Sequence, residues 1–202
     1  MEDLPFPSQS ALVVVDLQND FCPGGSLAVP DGDQIIPVVQ EYVDSFAAQG
    51  LPVIFTRDFH PGNHVSFAQQ GGPWPPHCVQ ETPGVDYHPG IRIPPEAYHI
   101  IKGFHPDIDA YSGFEGELKD AANPLTLDQL LRSLSVREVY VAGLATDYCV
   151  HATALDALKL GYRVVVIEDG VRGVNVNSGD SLKALQDLRQ HGAQFISAAV
   201  RP

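Results

Sequence analysis

Three side chains in the sequence could together perform nucleophilic catalysis: Cys149, Asp16 and Lys102. A thiol becomes a nucleophile near neutral pH when a base removes its proton or a positive field stabilises the thiolate. A desolvated Asp16 would supply the base, and Lys102 would supply the positive charge. Each residue alone also has an ordinary interpretation, because a cysteine in an apolar stretch is usually an inert core residue. An aspartate can simply cap a turn, and a lysine can simply lie at the surface.

A second group of residues could bind a metal ion. Asp58, His60, His64 and His77 all fall in one segment that is rich in proline and glycine. One carboxylate and up to three imidazoles suit a divalent transition metal such as zinc, manganese or iron. The alternative is that these histidines are hydrogen-bonded spacers in a loop. The concentration of four potential ligands in one loop favours the metal site.

Three aromatic side chains accompany these two groups: Phe21, Trp74 and Tyr111. Aromatic residues beside a metal and a nucleophile can enclose a flat ring. They can equally close a long loop against the body of the domain. The sequence by itself leaves both interpretations open.

The elements that must position these residues alternate between strands and helices. Apolar runs predict six strands, at 11–15, 52–56, 97–101, 139–142, 162–167 and 193–196. Helical spacing predicts helices at 34–48, 126–134, 150–158 and 178–191. This alternation predicts an α/β fold: one domain over residues 1–202, a three-layer αβα sandwich with a mainly parallel sheet. A loop without periodicity, at about 58–95, interrupts the pattern, and loops of that length are usually functional.

The predicted strand ends bring the chemistry together. Asp16, Asp58, Lys102 and Cys149 each lie at or just beyond the carboxyl end of a predicted strand. Ligands of open parallel sheets bind outside those ends, so the four side chains are expected to converge at one edge. Cys149 also lies where a strand leads into a helix, and a helix N-terminus favours a thiolate.

Composition limits the classes of partner. The chain of 202 residues has a formal net charge of -13 and no basic run, which argues against nucleic acid as a partner. No apolar run approaches the ~18 residues of a membrane span. Three cysteines, an odd number, and no secretory h-region near residue 1 predict a reducing, cytoplasmic location. No glycine-rich phosphate loop is present, so neither NAD nor ATP is expected as a cofactor. A homo-oligomer is left open.

Longer motifs then carry a family resemblance. They read VVVDLQNDFCPGGSLAV, TRDFHPGNHVSF, WPPHCVQETPG, IIKGFHPDIDAYSGFEG and VAGLATDYCVHATALDALKLG. In this order, and over nearly the whole chain, the sequence resembles the nicotinamidases (pyrazinamidases) of the isochorismatase-like hydrolases. The resemblance implies a Rossmann-like topology. It also implies hydrolysis of nicotinamide to nicotinate and ammonia in NAD salvage, with pyrazinamide as a second small-molecule substrate.

The resemblance also implies roles for individual residues. Asp16, Lys102 and Cys149 match the family's catalytic triad, which works through a cysteine thioester. Asp58, His60 and His77 match its metal ligands, with His64 binding directly or through water, and zinc is favoured over manganese or iron. The backbone N–H groups of Ala145 and Cys149 are expected to form an oxyanion hole. Phe21, Trp74, Tyr111 and Gln18 are expected to contact the substrate. A cis peptide is implied between Leu144 and Ala145.

Two other kinds of function remain as alternatives. One is hydrolysis of a different amide, or of a vinyl ether, on the same scaffold. Isochorismatases themselves generally lack the cysteine and carbamoyl-amide hydrolases lack the metal ligands, whereas this chain has both. The other is a catalytically silent domain that binds a metal or senses oxidants through Cys149.

Overall fold

The computed structural model describes residues 6–118 and 124–197, which form a mixed sheet covered by helices. The strands are β1 (Ser10–Val15), β2 (Val53–Asp58), β3 (Tyr98–Lys102), β4 (Glu117–Leu118), β5 (Leu125–Thr126), β6 (Glu138–Leu144), β7 (Arg163–Arg172) and β8 (Gln194–Ile196). Their order across the sheet is β5-β4-β3-β2-β1-β6-β7-β8. In this order the pairings from β3 through β2, β1, β6 and β7 to β8 are parallel. β4 pairs with β3, and β5 pairs with β4, both antiparallel.

The six predicted strands correspond to β1, β2, β3, β6, β7 and β8, but the predicted number of strands was too small. The sheet of the described residues has eight strands, because β4 and β5 extend its edge beyond β3. Each of these two strands has only two residues. A pair of residues can show neither a buried apolar run nor an alternation, so no sequence pattern indicated them.

β1 lies at the centre of the sheet because its apolar residues can be buried on both faces. Every residue of Ser10–Val15 is buried. Leu12 and Val14 face one core cluster, and Ala11, Val13 and Val15 face another. A parallel strand that is covered on both sides reads as a continuous apolar run, which is why β1 was predictable.

Helices form the two outer layers. α1 (Ile36–Ala48) packs in the first cluster. The opposite cluster contains the buried residues of α2 (Leu127–Ser133), α3 (His151–Lys159) and α4 (Asp180–Gln190). The long loop joins the layer of α1, where Cys78, Val85 and Ile91 are buried. The predicted three-layer α/β architecture is therefore correct. Among the described residues, none of the helices is both long enough and apolar enough to span a membrane.

Two element boundaries differ from those expected. β7 continues to Arg172 rather than ending at residue 167, because its pairing with β6 shifts and then resumes at Gly143 and Val171. The expected single helix after β6 begins instead as a π-helical turn, Thr146–Val150, and only then becomes α3. Irregular turns of this kind frequently occur at functional sites.

Candidate active site

The four side chains expected at the carboxyl edge of the sheet do meet there. Asp16 follows β1 directly, Asp58 and Lys102 are the last residues of β2 and β3, and Cys149 lies in the turn after β6. Asp58 and Lys102 are register partners in neighbouring strands. All four side chains are buried, with Asp16 and Lys102 fully inaccessible. The sheet thus gathers an ammonium, two carboxylates and a thiol in a space shielded from water.

Lys102 is the centre of this arrangement. Its Nζ lies 2.9 Å from Asp16 Oδ2 and donates to Cys149 Sγ over 3.5 Å. The same ammonium forms a close ion pair with Asp58 Oδ1. Asp16 is held from its other side, because Thr56 Oγ donates to Asp16 Oδ1 over 2.6 Å. Thr56 is a contributor that the sequence analysis did not identify.

Burial and charge together set the protonation states. Burial raises the pKa of Asp16, and the neighbouring Asp58 adds to this, while Lys102 and Thr56 lower it only in part. For Lys102, burial alone would lower the pKa, but Asp16 and Asp58 raise it well above its ordinary value. Burial also raises the pKa of Cys149, and Lys102 only partly opposes this. The resting thiol is therefore protonated, and it lies beside a carboxylate whose basicity is increased.

The turn that carries Cys149 also presents backbone donors. The peptide bond between Leu144 and Ala145 is cis, as expected. Both Ala145 and Cys149 line the pocket described below. Within the described residues, the N–H of Ala145 donates to no protein atom. A buried donor without a partner at the wall of a pocket can stabilise an oxygen anion.

Asp58, His60 and His77 form a set that fits a divalent metal. Asp58 Oδ2 lies 3.5 Å from His60 Nε2 and 3.9 Å from His77 Nε2. Each histidine is oriented by a carbonyl oxygen 2.8 Å from its Nδ1, that of Gly103 for His60 and that of Pro75 for His77. Because a carbonyl can only accept, Nδ1 of a neutral ring carries the hydrogen and the Nε2 lone pair faces the carboxylate.

Burial and charge also act on these metal-site groups. Burial lowers the pKa of His77, which favours the neutral form that binds metals. At His60 the effect of burial is outweighed by Asp58, which raises the pKa. At Asp58 itself burial is outweighed by Lys102 and then His60, which hold its pKa well below the ordinary value. The carboxylate is therefore ionised, as a metal ligand must be.

His64 is not part of the set whose ligand atoms lie close together, which consists of Asp58, His60 and His77. Its ring stacks on His60 with 4.0 Å between the centroids. Its Nδ1 lies 2.7 Å from Ser66 Oγ, and its Nε2 lies 3.0 Å from the carbonyl oxygen of Ile108. In this arrangement both ring nitrogens are engaged by the protein.

A narrow pocket opens beside Cys149 and Asp58. Its lining includes the three aromatic residues expected there, Phe21, Trp74 and Tyr111. Trp74 Nε1 donates to the Tyr111 hydroxyl over 2.9 Å, which fixes the two rings relative to each other. A pocket with apolar walls, a nucleophile and a metal-binding group is suited to a small planar ligand.

Sequence reasoning missed three other residues in this lining: Leu27, Tyr148 and Val174. Tyr148 packs edge-to-face against Trp74, with 5.0 Å between the ring centroids. Its direction depends on the π-helical turn, whose periodicity differs from that of the α-helix assumed from the sequence. Val174 follows β7, and its position depends on the extra length of that strand.

Gln18 was expected to contact the substrate, and this stays a prediction; in the structure its side chain bonds to backbone groups near the site. Its side chain is fully buried and absent from the lining of the pocket. Its amide donates to the carbonyl oxygens of Asp58 and Val85, each over 2.9 Å, and accepts from the Asp58 N–H over 2.8 Å. Two of these three hydrogen bonds are to the backbone of Asp58 at the end of β2, and the third ties that end to Val85 of the long loop, so Gln18 positions Asp58.

Comparison with known proteins gives consistent matches over the whole domain. Residues 10–200 match the family model of the isochorismatase domain. The sequence is 43% identical to the nicotinamidase of Escherichia coli (strain K12), covering 94% of this chain and 95% of that protein. A pyrazinamidase of Pyrococcus horikoshii solved in complex with zinc has a TM-score of 0.85 and 46% identity, covering 94% of this chain and 99% of that one. PnC1 from L. infantum, solved in complex with nicotinate, has a TM-score of 0.84 and 34% identity, covering 97% of this chain and 96% of that one.

Proposed function

This chain belongs to the isochorismatase family, and we propose that within it the protein is a nicotinamidase, which hydrolyses nicotinamide to nicotinate and ammonia. Pyrazinamide, with the same carboxamide on a similar ring, is a second substrate. The similarity to a nicotinamidase, to a pyrazinamidase with zinc and to a nicotinate complex supports this assignment. The observation that carries it is the buried group of Cys149, Asp16 and Lys102 directly beside the Asp58, His60 and His77 set.

The first half of the reaction transfers an acyl group to Cys149. Asp16 takes the thiol proton while Lys102 stabilises the sulfur anion, and Sγ attacks the carboxamide carbon. The carbonyl oxygen becomes an anion that accepts hydrogen bonds from the N–H groups of Ala145 and Cys149. One such donor is worth roughly 3–4 kcal/mol in the transition state. Asp16 then returns its proton to the amide nitrogen, the C–N bond breaks, and ammonia leaves a thioester.

The second half returns the enzyme to its starting state. Asp16, again a carboxylate, takes a proton from water, and the resulting hydroxide attacks the thioester carbonyl. The same two N–H groups stabilise the oxyanion. The C–S bond then breaks, Cys149 recovers the proton from Asp16, and the product leaves as nicotinic acid, which loses its carboxyl proton to solvent to give nicotinate. One base thus serves both steps, as the raised pKa of Asp16 favours.

A divalent metal would be held by Asp58, His60 and His77, with zinc as the favoured ion. His64 would join directly or through water only by giving up its hydrogen bond to Ser66 or to Ile108. When bound, the metal supplies a Lewis-acidic site for the ring nitrogen and so orients the carboxamide. Lys102 keeps Asp58 ionised for this purpose. Phe21, Trp74 and Tyr111 enclose the ring. We assign the protein to the cytoplasm, without NAD or ATP as cofactor.

The cheapest test measures ammonia and nicotinate release from nicotinamide by the metal-loaded protein. Turnover is expected, and Cys149→Ala should abolish it while leaving the metal content unchanged. Cys22→Ala is the matched control, because Cys22 is another buried thiol outside the pocket, and it should retain activity. No turnover of nicotinamide, together with hydrolysis of an N-carbamoyl amide or a vinyl ether, would instead favour another activity of the family. A protein that binds metal but hydrolyses none of these would be a binding or sensing domain.

A further inference from the structure

The segment between β7 and α4, residues 173–179, forms part of the pocket wall although it lies largely at the surface. Val174 lines the pocket together with Tyr148 and Cys149. The following residues are exposed, Val176 to 61%, and Asn175 has a positive φ of 52°. Because the segment contributes little buried apolar surface beyond Val174, polar contacts must fix its backbone.

The contacts next to Val174 come from Asp147, which lies two residues before Cys149 in the same turn. Asp147 Oδ1 accepts from the Val174 N–H over 2.9 Å, and Oδ2 accepts from the Asn175 N–H over 2.7 Å. Hydrogen bonds to an ionised carboxylate are roughly twice as strong as those between neutral groups. A Cβ at Gly173 would lie 1.9 Å from Ser181 Oγ and 2.8 Å from Asp147 Oδ1, so the absence of a side chain there permits both side chains to approach closely.

The remaining contacts tie the segment to α4, away from the pocket. Asn175 Oδ1 accepts from the Ser181 N–H over 2.9 Å, and Asp180 Oδ2 accepts from the Asn177 N–H over 2.8 Å. Asp147 is therefore the side chain that links the Val174 backbone to the turn of the nucleophile.

We propose that Asp147 is a positioning residue that determines ring specificity by holding Val174 against the pocket. Val174 forms part of the wall of this narrow pocket together with Tyr148 and Cys149, so a shift of its backbone changes which rings the pocket accepts. With Val174 held in place, unsubstituted pyridine and pyrazine carboxamides are accepted and ring-alkylated ones are rejected. This inference rests on the proposed nicotinamidase function.

The test compares steady-state kinetics of Asp147→Asn on nicotinamide and on a ring-methylated nicotinamide. Asparagine has the same shape, but its NH₂ group cannot accept a hydrogen bond, so one of the N–H groups of Val174 and Asn175 loses its acceptor. KM for nicotinamide should rise about tenfold, a typical effect of losing one charged hydrogen bond, with kcat within about twofold. The ratio of kcat/KM for the methylated over the unsubstituted ring should rise at least about fivefold. Asp180→Asn removes a similar contact from the far end of the segment and should change neither quantity.

Two further variants keep the test decisive if Asp147→Asn fails to fold. Val174→Ala should relax ring selectivity in the same direction, and Val174→Leu should tighten it. An unchanged selectivity in all soluble variants would overturn the proposal. So would a fall in kcat for Asp147→Asn at constant KM and selectivity, because Asp147 would then act through the turn of Cys149. A wild-type protein that does not hydrolyse nicotinamide would refute the proposed function itself, which is a different result.

Discussion

At the scale of single residues, Lys102 decides whether the site can exist at all. It is fully buried between Asp16 and Asp58, and it also donates to Cys149. Burying two carboxylates without a cation would be very costly, so the lysine stabilises both the fold and the ionised state of the site. Lys102 is therefore needed for the stability of the fold as well as for the site.

Replacing Lys102 by methionine should lower the free energy of unfolding by about 3–5 kcal/mol, since it leaves buried carboxylates without their partner. The measurement is urea unfolding at pH 7. Lys159→Met is the control, because Lys159 pairs with Asp156 at the surface and such pairs contribute at most about 1 kcal/mol. Equal effects of the two substitutions would contradict the assignment of Lys102 as the compensating charge.

Cys22 should make the protein less stable at alkaline pH. Burial, followed by the charge of Asp33, raises the pKa of Cys22 from 9.0 to about 11. The unfolded chain has the lower pKa and loses its proton first, so ionisation favours unfolding. The contribution of Cys22 is constant below about pH 8. Between pH 9 and 11 it should reduce the free energy of unfolding by about 2–3 kcal/mol relative to Cys22→Ala. If the free energies of unfolding of the two proteins changed in parallel between pH 9 and 11, this effect of Cys22 would be disproved.

The sequence predicted which residues meet at the edge of the sheet better than it predicted where side chains point. Asp16, Lys102 and Cys149 were recognisable because each follows a buried strand, and strand ends share an edge. The contacts of Gln18 could not be anticipated, because its partners are backbone groups of Asp58 and Val85, which no residue pattern reveals. The orientation of Tyr148 was likewise hidden, because it depends on the geometry of an irregular turn.

At the scale of elements, the contact between β1 and β6 places Asp16 beside the turn of Cys149. The two strands are paired in parallel from Ser10 and Glu138 to Val15 and Gly143. Asp16 and the turn of Cys149 follow these ends directly. Gly143 has a φ of 119°, and a Cβ at this position would overlap the carbonyl oxygen of Val15. A side chain is thus excluded where the two strands deliver the catalytic groups.

Gly143→Ala should therefore destabilise the protein by more than about 3 kcal/mol, through both the clash and the backbone conformation. Gly161→Ala is a matched control: its φ is 90°, but nothing lies within 4 Å of the added Cβ. That substitution should cost only about 1–2 kcal/mol for the conformation alone. Chemical denaturation of both variants gives the comparison, and a Gly143 variant no less stable than the Gly161 variant would refute the packing argument.

Element prediction succeeded where burial imposes a pattern and failed where it does not. The longer strands β1, β2, β3, β6 and β7 are mostly apolar because helices or the long loop cover both faces of the sheet. β4 and β5 are two residues each and are only partly buried, so their composition carries no signal. The extension of β7 to Arg172 depends on a shift in pairing with β6, which is a tertiary effect.

At the scale of the whole molecule, the long loop and the sheet are joined at the metal-binding set. Asp58 belongs to β2, while His60 and His77 belong to the loop. A metal bound by all three would bind the folded protein and not the unfolded chain. It therefore stabilises the fold by mass action, by about 2.7 kcal/mol when its free concentration is a hundred times its dissociation constant.

Removing the metal with a chelator should lower both the thermal midpoint and the activity, and adding zinc should restore both. His77→Ala should lose the bound metal and the response to chelator. His105→Ala is the control, since His105 is exposed and lies outside the set, and it should behave like the wild type. If chelation of a metal-loaded sample left the thermal midpoint unchanged, the claim that the bound metal stabilises the fold would be contradicted.

Acyl transfer to Cys149 can be observed directly by mass spectrometry of the metal-loaded protein, quenched with acid during turnover of nicotinamide. The expected result is a nicotinoyl adduct on the peptide that contains Cys149, and on neither Cys22 nor Cys78. The adduct should be absent from Cys149→Ala, which should also release no ammonia. An adduct on another residue, or ammonia release by the alanine variant, would contradict nucleophilic catalysis by Cys149.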